Sequence, residues 1–162
     1  MVINNDPTII AFTKTGLPNG YLGNMFSSPI EYDGKVWKTA EALFQALRFE
    51  DDSIREMIRN EKSPFGLKLK VKSISDRMSI APKGEQDVEN MRLVLRLKFD
   101  QHPILREQLL STENAVLIED VTRRKSGNST FWGAYLSEGQ WTGDNKLGEL
   151  LMELREELLT TK

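Results

Sequence analysis

The chain has no cysteine, which excludes disulfides, thiolate nucleophiles and cysteine-ligated metals. It has one histidine, His102, which argues against a histidine-rich metal site or a His-based triad. That residue stands in Asp100-Gln101-His102-Pro103-Ile104-Leu105, a break between two helices where Pro103 suits a first helical position and His102 can cap. No apolar run approaches the roughly 18 residues needed to cross a bilayer, so no membrane partner is expected. The segment Met1–Pro7 has neither a basic nor an apolar region of the kind a signal peptide carries. Neither sign of charge dominates: 22 basic residues face 24 acidic ones, for a net charge of −2. A strong global field towards nucleic acid or an anionic surface is therefore missing. These absences predict a soluble, cytoplasmic protein, and 162 residues suffice for one domain, 1–162, with an unstapled core.

What is present is mostly helical. Thr8–Phe12 reads as a short strand, followed by a Gly/Pro/Asn-rich loop. Ile30-Glu31-Tyr32 and Lys35-Val36-Trp37 flank Asp33-Gly34, a strong hairpin signal. Thr39 then caps a helix to about Phe49, with Ala40, Leu43, Phe44 and Leu47 facing the core. Asp52 or Ser53 opens a second helix. Ser63-Pro64 opens a third, although Leu67-Lys68-Leu69-Lys70-Val71-Lys72 alternates like a strand. A long helix spans about Glu85 to Asp100 through Val88, Met91, Leu95 and Phe99, and another follows from Pro103 to about Leu110. Ala115–Glu119 is a buried-strand candidate, and Leu147, Leu150, Leu151, Leu154 and Leu158 stripe a last helix. The expected fold is mainly α (α+β), with a small β-hairpin and short-strand element.

Two regions carry chemistry. In the first, Glu41 follows the capping Thr39 by two residues, near Trp37. Glu41, Gln45 and Arg48 share one helical face, which is either a pocket wall or a solvated row. At a helix N-terminus the dipole favours an ionised carboxylate. The second is Asp120–Asn145, read as a long polar loop, with Arg123-Arg124-Lys125, Phe131-Trp132-Gly133, Trp141 and four glycines. Aromatics, glycines and cations are the parts of a nucleotide-binding loop. The alternative is that both tryptophans cover the core and the cations are solvated.

In order and spacing, these features resemble the NADAR/YbiA-like family from about Ile10 to Leu158. The matching stretches are Tyr21-Leu22-Gly23-Asn24-Met25-Phe26, Pro29–Lys35, Trp37-x-Thr39-x-Glu41 with Phe44-Gln45-Ala46 and Phe49, Lys98-Phe99, Leu117-x-Glu119, Trp132-Gly133, and Gly143-x-Asn145-x-Leu147-Gly148-x-x-Leu151-Met152-x-x-Arg155. The resemblance implies an N-glycosidase cleaving the bond between a ribose anomeric carbon and nitrogen, with Glu41 as the catalytic carboxylate. Lys35 is a second candidate, able in principle to attack the anomeric carbon as an amine; the alternative is a solvated hairpin lysine. Asn24, Phe26, Trp37, Gln45, Trp132 and Asn145 are the implied substrate-binding residues, and Arg123 and Arg124 are candidates for holding phosphate. No metal or cofactor is implied.

The expected partner is a nucleotide-like small molecule or an ADP-ribosylated macromolecule, with nucleic acid entering only as a modified substrate. Ala42 stands where the family usually has histidine, and Ser129 falls where its riboflavin-type branch has an acid. That departure favours an ADP-ribosyl conjugate over the alternative, phosphorylated pyrimidine intermediates of riboflavin synthesis. A non-catalytic ADP-ribose or nucleotide-binding module is a further alternative. Glu119, Asp120 and Asp144 are candidates to replace the missing acid.

Overall fold

A computed structural model describes residues 8–124 and 127–161. Met1–Pro7 and Lys125 of the basic triplet lie outside the described residues. In chain order the elements are β1 Ile9–Phe12, β2 Ser27–Tyr32, β3 Lys35–Thr39, α1 Ala40–Ala46, α2 Asp52–Asn60, α3 Pro64–Ser73, α4 Glu85–Gln101, α5 Pro103–Ser111, β4 Val116–Glu119, α6 Gly127–Trp132, β5 Tyr135–Ser137, β6 Gln140–Thr142 and α7 Lys146–Thr160. About 51% of the chain is helical and 18% strand, which bears out the mainly α expectation. No helix among the described residues is long and apolar enough to cross a membrane. The elements gather into two compact units, Asn24–Pro103 and the remainder of the chain.

The Asn24–Pro103 unit begins with the expected hairpin. Asp33 (φ 52°) and Gly34 (φ 75°) both adopt positive φ, the backbone of a two-residue turn that matches strand twist. β2 and β3 pair antiparallel, with Ile30 opposite Trp37, and both side chains are buried. β3 runs directly into α1 because Thr39 is still extended while its Oγ1 accepts the Ala42 amide at 3.1 Å. α1 ends at Ala46, short of the expected Phe49. Arg48 N and Phe49 N close tight three-residue turns onto Gln45 O and Ala46 O, and these drive the Phe49 side chain fully inside.

Asp51, one residue before the expected Asp52, caps α2. Its Oδ1 accepts the Ser53 hydroxyl at 2.6 Å and the amides of Ser53 and Ile54 at 2.8 and 3.3 Å, and these bonds, the hydroxyl's foremost, hold its carboxyl below the usual range. Ser63 caps α3 through the Gly66 amide, and Leu67 and Val71 are buried one turn apart. The helical start signal therefore outweighs the strand-like alternation. α4 buries Met91, Val94, Leu95 and Phe99, and also Asp87 and Lys98. His102 ends α4, and its Nε2 lies 2.6 Å from the Pro29 carbonyl.

In the other unit, β1 and β4 pair in parallel from Ile9–Val116 to Phe12–Glu119. α7 packs on β4 through the leucine stripe, with Leu147, Leu150, Leu151 and Leu154 buried. The stretch expected to be one long loop contains α6 and a β5–β6 hairpin, which pairs Tyr135 with Thr142 and turns at Glu138 and Gly139, both at positive φ. The hairpin strands are only three residues each, too short for a period-2 pattern to stand out.

Asn145 (φ 50°) joins this segment to α7. Its Nδ2 donates to Leu117 O at 2.9 Å, and its Oδ1 accepts the Glu119 amide at 3.1 Å. The side chain thus completes the edge of β4 as a neighbouring strand would. Gly148 makes room for this, since a Cβ there would overlap Leu117 O and the Asn145 carboxamide. Gly148→Ala is expected to destabilise the protein by about 3 kcal/mol through overpacking against a fixed carbonyl, read as a lowered thermal midpoint. A stability within error of the original would refute the close approach.

Candidate active site

The Asn24–Pro103 unit builds a connected polar cluster around Glu41. Glu41 lies in the first turn of α1, and its amide donates to Asn24 O at 3.0 Å, so Asn24 is drawn against the helix start. One turn on, Gln45 Nε2 donates to Glu41 Oε1 at 2.8 Å. Arg48 Nη1 donates to Gln45 Oε1 at 3.3 Å. The row anticipated as a pocket wall or a solvated face is therefore hydrogen-bonded along its length, and its far end is buried.

Two buried polar atoms beside this row lack partners among the described residues: Asn24 Oδ1 and Trp37 Nε1. Asn24 is 8% and Trp37 4% exposed. The Asn24 carboxamide is otherwise anchored by its Nδ2 on Met91 Sδ at 3.1 Å. Such groups cost about 1–3 kcal/mol when left unsatisfied, and a polar ligand or water reaching them would recover that energy. Glu41 is only partly buried, and among the described residues no group bonds its Oε2. The cluster thus combines a partly buried carboxylate with an enclosed orphan acceptor at Asn24 and an enclosed orphan donor at Trp37.

Two residues that sequence reasoning did not assign support this cluster. Asp87 is fully buried, and its carboxylate takes the Arg48 guanidinium in a fork, at 2.9 Å from Nε and 2.7 Å from Nη2. Lys98, also fully buried, sets its ammonium 5.9 Å from the centre of the Phe26 ring and 5.3 Å from that of Phe99. Burial pushes its amine down to about 7. Phe26, a predicted substrate-binding residue, therefore lies beside the buried Lys98 amine of α4. The available signal was phase: Asp87 and Lys98 lie in register with Met91 and Val94 on α4, as charged residues on an apolar stripe.

Lys35, the second catalytic candidate, is exposed and pairs with Glu56 at 3.3 Å. Glu56 also binds Arg59, and these cations hold its carboxyl at about 2. Lys35 thus stands in a surface ion pair, whereas the Lys98 amine of the same unit is buried. Ala42 is buried, off the Glu41 row.

The other unit holds the remaining candidates. Both polar atoms of the Asn145 side chain, an expected substrate contact, bond the β4 backbone. Arg124 lies 3.7 Å from Glu119, and Arg123 is exposed. Trp132 is half-buried and meets Phe131 edge to face, with ring centres 4.8 Å apart. Ser129 donates to Arg124 O at 3.2 Å. Asp120 accepts the Thr122 amide at 2.9 Å in a local turn, and Asp144 is exposed. A groove of about 470 Å³ between Leu110 and Leu159 contains none of the predicted site residues. Among the described residues no group of three or more His, Asp or Glu side chains is placed to hold a metal ion.

Comparison with known proteins converges on one family. The NADAR domain family model matches residues 11–159. N-glycosidase YbiA of Escherichia coli K12 is 40% identical over 157 residues, which cover 96% of this chain and 91% of that protein. Its NMR structure superposes with a TM-score of 0.78 at 38% identity, covering 95% of this chain and 86% of that one. A riboflavin biosynthesis protein of Vibrio vulnificus is 30% identical across 92% of this chain, which spans 38% of that longer protein.

Lys98 gives a prediction with a defined sign. Its amine falls from 10.5 to about 7 on burial, so between those values the folded state binds fewer protons than the unfolded chain. Stability therefore rises with pH across that window, and the cost of the buried charge is full below about pH 7. Lys98→Met is expected to raise the thermal midpoint near pH 6, with the gain over the original chain shrinking steadily towards pH 10. A gain independent of pH would show that the amine is not desolvated.

Proposed function

Because the chain belongs to the NADAR family, we propose that it is an N-glycosidase that hydrolyses the bond between a ribose anomeric carbon and nitrogen in a nucleotide-like substrate. The observation that carries this reading is Glu41: one oxygen is tethered by Gln45, the other has no partner among the described residues, and the buried orphan atoms of Asn24 and Trp37 adjoin the same helix start. Cleavage of an N-ribosyl bond passes through an oxocarbenium-like state, in which positive charge develops on the sugar. A carboxylate fixed by an amide stabilises that charge without reorganising. It can also take a proton from the water that adds to the anomeric carbon, while the nitrogen leaves with the bonding electron pair and is then protonated.

Asn24 Oδ1 suits a sugar hydroxyl or base N–H, and Trp37 Nε1 suits an acceptor on the ligand. Phe26 offers an apolar face in the unit that carries Glu41. The other unit, taken by itself, offers Trp132, a ring on which a base can stack, and Arg123, an exposed charge for phosphate. Within this reading the substrate is an ADP-ribosyl conjugate, supported by Ser129, a neutral side chain, at the place of the riboflavin-type acid. The Vibrio vulnificus relative, named for riboflavin biosynthesis, supports phosphorylated pyrimidine intermediates as the second reading.

The test measures free base released from both substrate classes. Glu41→Gln leaves a neutral amide of the same shape and is expected to lower kcat by at least about 100-fold, the scale of a lost electrostatic stabiliser or base. Release from ADP-ribosyl conjugates but not from pyrimidine intermediates supports the first reading, and the reverse supports the second. Unchanged turnover in the Glu41 variant would remove Glu41 from the mechanism.

A further inference from the structure

The buried end of the Glu41 row is built to control its exposed end. Asp87 grips Nε and Nη2 of Arg48 at 2.9 and 2.7 Å, and its Oδ2 also accepts the Lys83 amide at 2.8 Å. The carboxylate is thus fixed from two sides in a fully buried position. The Arg48 guanidinium lies 4.7 Å from the centre of the Phe44 ring, which restrains its plane. A guanidinium has five donors and no acceptor. Its free edge, Nη1, therefore requires an oxygen, and Gln45 Oε1 supplies one at 3.3 Å.

A carboxamide with its oxygen turned towards Arg48 must turn its NH2 the other way. That NH2 meets Glu41 Oε1 at 2.8 Å. With Gln45 flipped, its oxygen would face the Glu41 carboxylate and its NH2 the Arg48 cation, pairing acceptor with acceptor and donor with donor. We propose that Asp87 is a positioning residue for Glu41. By locking Arg48, it dictates which end of the Gln45 amide faces Glu41, and so holds the Glu41 carboxylate in one orientation as a hydrogen-bond acceptor. Asp87 touches neither substrate nor Glu41 in this scheme; its effect passes through Arg48 and Gln45. The inference rests on the reading of Glu41 as the catalytic carboxylate.

The experiment has one arm that needs no turnover and one that does. In the intact protein, the side-chain amide resonances of Gln45 are recorded by nitrogen-15 NMR for the original chain, Asp87→Asn and the double variant Arg48→Met/Asp87→Leu. The double variant replaces the ion pair with apolar groups of similar volume, a change that folds stably in comparable cores. It therefore serves if Asp87→Asn fails to fold. Both variants are expected to shift the Gln45 amide and speed its hydrogen exchange several-fold; an unmoved Gln45 amide in a folded variant overturns the proposal.

In the turnover arm, Asp87→Asn, or the double variant in its place, is expected to lower kcat about tenfold per folded molecule, the effect of a misplaced reacting group, with KM changed less than about twofold. In a Gln45→Leu background the same change should cost nothing further, because the path through Gln45 is already broken. A merely structural Asp87 would lower the folded fraction yet leave kcat per folded molecule intact, and an undiminished loss in the Gln45→Leu background would likewise overturn the proposal. If the original chain releases no base from any conjugate, the N-glycosidase reading fails, while the NMR arm still decides the coupling of Asp87 to Gln45.

Discussion

The Arg48–Asp87 pair is the constraint on which the Asn24–Pro103 unit turns. It joins the residue just past the end of α1 to the first turn of α4, through a fork of two bonds at 2.9 and 2.7 Å with the carboxylate wholly enclosed. Buried ion pairs are expensive to form, and their net contribution to stability is small, but breaking one partner leaves an uncompensated charge that costs about 3–5 kcal/mol. Their value lies in geometry. A fork of two charge-assisted bonds fixes both position and plane, so the end of α1 has one permitted orientation against α4. The tight turns at Arg48 and Phe49 end the α-helical pattern where this pair is made.

That constraint explains why a short helix can hold the Glu41 carboxylate still. α1 is seven residues long, below the length at which a helix is stable alone, and Glu41 sits where fraying is worst. Its start is pinned by Thr39 and by the Glu41 amide on Asn24 O, and its end by Arg48. Along the face between these anchors, each side chain bonds the next, so the last residue of the row reaches the first through one intervening amide. A site placed between two fixed ends can be preorganised without a long scaffold helix beneath it.

How much of this was legible depends on the range of each interaction. The hairpin turn, the Thr39 and Ser63 caps and the leucine stripe of α7 are local patterns, and each stands where its residues place it. The cap on α2 differed by one position because Asp51, Asp52 and Ser53 are all capable, and the backbone alone decides which carboxylate reaches the amides. The stretch after Asp120 resisted reading because a six-residue helix and three-residue strands carry too few periods to register. Asp87 lies 39 residues from Arg48, beyond any local pattern. The available clue was a charge in phase with the apolar face of α4, and Lys98 carries the same clue three turns later. Glu41 and Gln45 were legible as neighbours on one face; that a buried carboxylate orients them was not.

The two departures from the family pattern have different physical weight. Ala42 is almost wholly buried, and its amide is taken by the Thr39 cap, so its side chain belongs to the packed face of α1. A histidine there would have to displace core atoms before it could join the polar row, and the loss of that histidine therefore leaves the row from Glu41 to Asp87 intact. Ser129 is another matter. It is half-buried, and its hydroxyl donates to the Arg124 carbonyl, a bond that a carboxylate could not make as a donor. An acid at that place would have had to face something other than that carbonyl. The substitution thus rewires its surroundings as well as removing a charge, while the helix carrying Glu41 is organised without it.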